Sequence, residues 1–350
     1  MRRFLLAVHR DGGELVARVA ASIDWEPARE WVRFLAVRRG WLRPGEEAGR
    51  VVIAPRWHGE IGRPYAAAFR LRLTLPGRPA LTVELPASYL RDPAVAAVAA
   101  LREAGQLSAG DGYSVFAVVA EGERELPMAS SFAVETASPE VPLLPGSQAA
   151  LAERATPADE PAAEGDDVRC LIAEEVLAEA AKLAAAAAPH ETGGALLGHL
   201  RRDQGSDELY LEVTAQLPAT RAVADTARLT FTAEAWTEVS AALERRMGGE
   251  ILLGWWHSHP LADWYRGEGE EGGHRTAVTA LAAAGFLSAQ DRALHRVVFP
   301  RAWSVALLVT LTDGGPRLRL FGWRRGQVEP RGFDRLRPAG ARAQEASHVA

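Results

Sequence analysis

Short stretches at residues 4–8, 65–75, 80–85 and 113–120 are strand-like, wholly or nearly apolar in FLLAV and YSVFAVVA and alternating apolar with polar in RLRLTL and LTVEL, as buried and half-buried strands do. Between them, residues 26–39 and 93–104 carry apolar positions at helical spacing, and PGRP at 76–79 supplies a hairpin turn. The mixture predicts an α+β domain over residues 1–132. Residues 133–167, from AVETASPEVPLLPGSQ to PADEPAAEGDD, lose the periodicity and concentrate Pro, Ala, Ser and acids. That is the composition of a flexible, self-repelling linker. Periodicity returns at 168–187 as a helix, followed by strands at 193–202 and 208–217, a helix at 233–246, a strand at 250–256, a helix at 288–296, and strands at 303–310 and 317–323. This alternation predicts an α/β domain over 168–330, with 331–350 as a C-terminal tail. No internal repeat is visible.

At 350 residues and 48% hydrophobic content the chain has material for about two domains, in keeping with that division. Its single cysteine, Cys170, excludes an intrachain disulfide and a cysteine zinc site and leaves one candidate thiol nucleophile; a reducing cytoplasm fits. The opening MRRFLLAVHR has too short an apolar run for a secretory signal, where roughly 7 to 15 residues are usual. The alanine tract at 184–188 lies beside Lys182 and Glu179, far short of the roughly 20 apolar residues that span a bilayer, so no membrane partner is expected. Net charges of +3, −7 and −1 over 1–132, 133–167 and 168–350 make up the −5 of the whole chain. No block is basic enough to follow a phosphate backbone, which disfavours nucleic acid. Lys182 is the sole lysine against 39 arginines, a bias that points to a bacterial genome rich in G and C.

The apolar run 250–256 ends in HSHP. Side chains on a strand alternate faces, so His257 and His259 point the same way, and Pro260 stops the strand behind them. Two imidazoles so placed can chelate one metal ion, which takes neutral nitrogen ligands at about 2 Å. Alternatively, one histidine caps the strand and the other fills a polar gap. A metal needs a third ligand from elsewhere, and Asp291, on the helix opening at FLSAQD with Ser288 three residues earlier on the same face, is the best placed carboxylate. Such a site keeps a position for water, the open arrangement of a catalytic zinc. A second carboxylate, not a ligand, must then move the proton, and Glu191 opens the glycine-rich segment HETGGALLG.

Together, HETGGALLG, GWWHSHP and SAQD followed by ALHRVVFPRAWSVALLVTL resemble the JAMM or MPN-plus family of zinc isopeptidases over about residues 168–325. The resemblance implies a JAMM/MPN-like domain, a curved mixed β-sheet flanked by helices, in which His257, His259 and Asp291 hold Zn2+. It also implies that Glu191 is the general acid/base and that Ser288 donates to the oxyanion; Ser288 also reads as a helix N-cap. Trp255 and Trp256 read as core or pocket wall. One departure matters. The family keeps a short spacer between the proline and the Ser-x-x-Asp serine, whereas here residues 261–287 intervene. In the family's register Glu270 would take the aspartate's place, but Gly267 would then replace the serine, which favours Asp291. The acidic GEGEEGG of this insertion reads as a lid, a rim for a basic partner or a tolerated loop, and 275–285 as a short helix.

What the family resemblance implies is cleavage after the C-terminal residue of a ubiquitin-like protein or its conjugates, in a bacterial conjugation pathway of the kind that includes antiphage defence. The domain over 1–132, with neither a cysteine nor a phosphate-cradling glycine motif, would be a recognition or adaptor module for the modifier, its target or a conjugation-pathway enzyme. Two alternatives stand beside this reading: a peptidase that trims a sulfur-carrier protein, and a non-catalytic MPN scaffold.

Overall fold

The computed structural model describes residues 4–43, 46, 49–59, 64–119, 142–158, 167–219, 223–225, 228–246, 248–264 and 285–339. The chain divides into two units, Met1–Glu140 and Val141–Ala350. The first unit runs β1 (Phe4–Arg10), β2 (Leu15–Ala20), α1 (Glu26–Arg38), β3 (Val51–His58), β4 (Tyr65–Leu73), β5 (Leu81–Pro86), α2 (Arg91–Glu103) and β6 (Tyr113–Val119). Strand β1 lies between β2 and β6, and β4 between β3 and β5, all pairs antiparallel. The β4–β5 turn is the PGRP hairpin, with Gly77 at φ +66°, where glycine carries no steric penalty. An aromatic cluster fills the core: Trp25 stacks on Tyr89 at 5.3 Å and meets Phe69 at 5.0 Å, while the Tyr89 hydroxyl donates to the Asp24 carbonyl at 2.7 Å. Sequence periodicity missed β2 and β3. Strand β3 carries Pro55, which argues against a central strand, and β3 sits at a sheet edge, where proline is tolerated.

The second unit runs β7 (Leu143–Gly146), α3 (Gln148–Ala152), β8 (Ala155–Pro157), β9 (Arg169–Ala173), α4 (Glu174–Ala187), β10 (Gly193–Asp203), β11 (Leu209–Pro218), β12 (Val223–Asp225), β13 (Arg228–Thr230), α5 (Ala233–Arg245), β14 (Ile251–His259), α6 (Leu261–Trp264), α7 (Ala289–Val298), β15 (Val305–Thr312), β16 (Gly315–Arg324), β17 (Gln327–Arg331) and β18 (Asp334–Leu336). The main sheet has the order β17-β16-β15-β14-β10-β11-β9-β18-β8, with β7 added beside β10, and it mixes parallel and antiparallel pairs. Strand β14 is central, antiparallel to β10 and parallel to β15. Being covered on both faces explains its nearly continuous apolar sequence. Close strand packing explains its glycine: a Cβ on Gly254 would stand 1.8 Å from the Val305 carbonyl oxygen. Among the described residues no helix is long and apolar enough to cross a membrane.

Three expectations are corrected here. Residues 168–187 are not one helix. The segment RCLIA forms β9, parallel to both β11 and β18 and buried at Cys170, Leu171 and Ile172, and α4 starts only at Glu174, where two glutamates suit the positive end of the helix dipole. The linker expected at 133–167 is not free chain throughout. Residues 143–146 pair with β10, the Gln148 N–H donates to Asp203 Oδ1 at 2.6 Å, and β8 pairs with β18. Short edge strands such as these are held by the sheet they join rather than by any periodicity of their own. At the far end of that segment, Asp167 accepts from Arg324 Nε at 3.0 Å and from its terminal nitrogen at 2.6 Å, in a bidentate pair that belongs to the domain. The expected tail is likewise part of the sheet as far as β18, whose Asp334 accepts from Arg169 Nε at 2.6 Å; residues 340–350 lie outside the described set.

Candidate metal centre

Strand β14 reaches the centre through a bulge. Its pairing with β10 matches Leu197 to Leu252 but Leu196 to Gly254, so Leu253 is an extra residue. After the bulge, Trp255, His257 and His259 share the face that carries Leu252, and Trp256 and Ser258 take the opposite one. Both histidines are buried. The same register pairs Gly193 with His257, and two residues further out it sets Glu191 opposite His259. Ser258 fixes that crossing: its N–H donates to the Thr192 carbonyl at 2.8 Å, and its hydroxyl oxygen accepts from the Thr192 N–H at 3.0 Å. Glu191 is 4% exposed and so lies inside the domain rather than on its surface.

Asp291 arrives from α7. Ser288 is the N-cap: its hydroxyl oxygen accepts from the Asp291 N–H at 3.1 Å, while the Ser288 N–H donates to Asp291 Oδ2 at 2.7 Å. This reciprocal capping box explains the Ser-x-x-Asp spacing in local terms and holds the carboxylate over β14. We expect Ser288→Ala to lower the unfolding free energy by about 1 kcal/mol, read from denaturant titration; no change would mean that the cap is dispensable.

Three ligand-type atoms converge. His257 Nε2 and His259 Nε2 are 3.1 Å apart, and Asp291 Oδ2 lies 3.4 Å from the first and 3.6 Å from the second. A tetrahedral ion bound at about 2.0–2.2 Å sets its ligand atoms roughly 3.3–3.5 Å apart, so this triangle has the dimensions of a metal site. The donor set of two imidazoles and a carboxylate suits a divalent transition metal. Glu191 Oε1 stands 3.7 Å from His259 Nε2, beside the triangle. Among the described residues this is the one group of three that could hold a metal. Glu270, the rival carboxylate, falls outside the described residues, as does most of 261–287.

The electrostatics agree with metal binding. Burial lowers the pKa of His259, against the opposing pull of Asp291, so the ring is neutral as a ligand must be. Burial alone would raise the pKa of Asp291, but the neighbouring His257 and hydrogen bonds from His257, His259 and Ser288 outweigh it and hold the carboxyl below its ordinary value. Cys170, the one thiol, is fully buried and its pKa is pushed up to about 12, chiefly by desolvation; it is no nucleophile. Trp255 and Trp256 are both wholly buried. Trp256 donates to Gln216 Oε1 at 3.0 Å on the far face, whereas Trp255 stacks on His257 with ring centroids 4.5 Å apart. The sequence reading missed His295, although its place four residues after Asp291 puts it on the same face of α7. It is fully buried and accepts from Trp255 Nε1 at 3.1 Å.

Burial, helped by the charge of Arg331, brings the pKa of His295 down from 6.5 to about 3. The unfolded chain therefore takes up this proton first. Stability should be unaffected above pH 6.5 and fall as the pH drops from there toward 3. Denaturant titration across that window should show a shallower fall in His295→Leu.

A mixed sheet whose central strand ends in two metal-facing histidines, met by a cap aspartate, defines a candidate metal-binding α/β domain. Residues 173–264 match the family of prokaryotic homologs of the JAB domain. The match takes in Glu191, His257 and His259 and stops short of Ser288 and Asp291, whose placement rests on the geometry above. The chain is also similar to the solution structure of protein DSY2949 from Desulfitobacterium hafniense, with 21% identity over 46% of this chain and 88% of that one and a TM-score of 0.29, too low to inform the site. No curated protein matches the chain.

Proposed function

We propose that the second unit is a zinc-dependent peptidase that hydrolyses the bond after the C-terminal residue of a ubiquitin-like protein, in deconjugation or maturation. The observation that carries the catalytic part is the triangle of His257, His259 and Asp291, its two histidines buried, with a fourth side chain, Glu191, next to it. The class of substrate rests on the family resemblance. Zinc held by the three side chains would make water acidic, with a pKa of roughly 7, and polarise the scissile carbonyl. Glu191, buried and adjacent, takes the proton from the attacking water and passes it to the leaving amine. Ser288 turns its hydroxyl hydrogen to the developing oxyanion while its oxygen continues to cap α7. The first unit, in this reading, recognises the modifier, its target or a conjugating enzyme.

The test is hydrolysis by the zinc-loaded full chain of two substrate sets: ubiquitin-like proteins carrying a C-terminal fluorogenic amide, and sulfur-carrier proteins with a C-terminal extension. Chelator-sensitive release from the first set is the expected result. Release from the second set alone would move the substrate to sulfur carriers, and bound zinc with no release from either would leave a scaffold.

A further inference from the structure

We propose that His295 is a positioning residue of the metal centre, acting through the Trp255 indole to fix the plane of the His257 ring and the seat of α7 on β14. The proposal rests on the metal reading above. A metal-bound imidazole is ordinarily oriented by its second nitrogen, which donates to a carboxylate, a carbonyl or water. His257 lacks that restraint: its Nδ1 is buried and has no hydrogen-bond partner among the described residues. What holds the ring instead is the face of Trp255, 4.5 Å away between centroids and inclined by only 14°.

The indole in turn is fixed at its edge. Its Nε1 can only donate, so His295 Nδ1 is the acceptor at 3.1 Å and the His295 proton sits on Nε2. That Nε2 is buried and has no acceptor among the described residues, and the His295 ring centroid lies 5.9 Å from that of Phe299 and 5.4 Å from that of Trp323. An apolar side chain here would only move the unsatisfied donor from His295 Nε2 to Trp255 Nε1, so the number of satisfied donors does not account for the imidazole and it calls for a further reason. Holding Trp255 supplies one. Asp291 and His295 lie one turn apart on α7, and His257 and Trp255 two residues apart on β14. The two elements therefore meet at two rungs, one ending at the metal triangle and the other at the indole. Loosening the second rung frees both the His257 plane and the helix that presents Asp291.

The test measures Zn2+ affinity of the full chain by competition with a chromophoric chelator, together with the visible absorption of the Co2+ form, in wild type, His295→Leu, His295→Gln and Trp255→Phe. His295→Leu should remain folded and bind zinc about ten- to a hundredfold more weakly, with an altered Co2+ spectrum. Trp255→Phe, which keeps the ring and loses the N–H, should shift in the same direction. His295→Gln, whose amide oxygen can accept from the indole, should recover most of the affinity. Wild-type affinity and spectrum in His295→Leu, or a loss in His295→Gln as large as in His295→Leu, would overturn the proposal. If His295→Leu does not fold, Trp255→Phe decides, and wild-type zinc binding there overturns it. Wild type that binds no zinc at all would instead remove the metal reading beneath it.

Discussion

Glu191→Gln should keep its zinc and lose roughly 10²- to 10⁴-fold in hydrolysis rate, the usual contribution of a positioned general base. The substitution preserves size and hydrogen-bonding capacity, and the side chain stands 3.7 Å from His259 Nε2, outside the triangle of ligand-type atoms. Only its ability to take a proton is removed. Metal content by elemental analysis and turnover on the same preparation check both halves. Zinc lost together with activity would make Glu191 a ligand, and unchanged turnover would place the base elsewhere.

Asp291→Ala should have the opposite signature, with zinc and activity lost together. The substitution removes the carboxylate that, among the described residues, faces both imidazoles, at 3.4 and 3.6 Å. It also removes the acceptor of the Ser288 N–H, so the first turn of α7 loses half of its capping box. Two neutral imidazoles on a strand make a far weaker site than two imidazoles and a charged oxygen, and elemental analysis should find the variant essentially metal-free beside a zinc-loaded wild type. Glu270→Ala run alongside should retain zinc. The reverse pattern would transfer the third ligand to the insertion.

Much of the centre was legible because it is written in short-range rules. The His-x-His spacing, the proline after it and the Ser-x-x-Asp cap each need only strand or helix periodicity, and the structure brings the four side chains to one place. What sequence could not supply was the long-range register. The opposition of Glu191 and His259 follows from β10 pairing with β14 across more than sixty residues of sequence, and the bulge at Leu253 that settles which residues share a face leaves no mark in ILLGWW. The misread segments fail for a related reason. RCLIA is as apolar as the helix that follows it, and only its neighbours β11 and β18 make it a strand; LLPG and DRL are too short to show any period and exist because neighbouring strands receive them, β10 the first and β9 and β8 the second.

The parallel pairing of β14 and β15 has one more consequence. A parallel neighbour can be reached only by a crossover, and the ligand-type side chains sit at both ends of this one, His259 where the chain leaves β14 and Asp291 on the helix that leads back. A bound ion would thus act as a clasp across the intervening chain, and in polymer terms the penalty for closing such a loop grows only with the logarithm of its contour, about 0.6 kcal/mol for each doubling. The span between Pro260 and Ser288 can therefore lengthen by whole segments while the two ends of the clasp stay in register, leaving that stretch of the chain open to sequence change at little penalty to the centre.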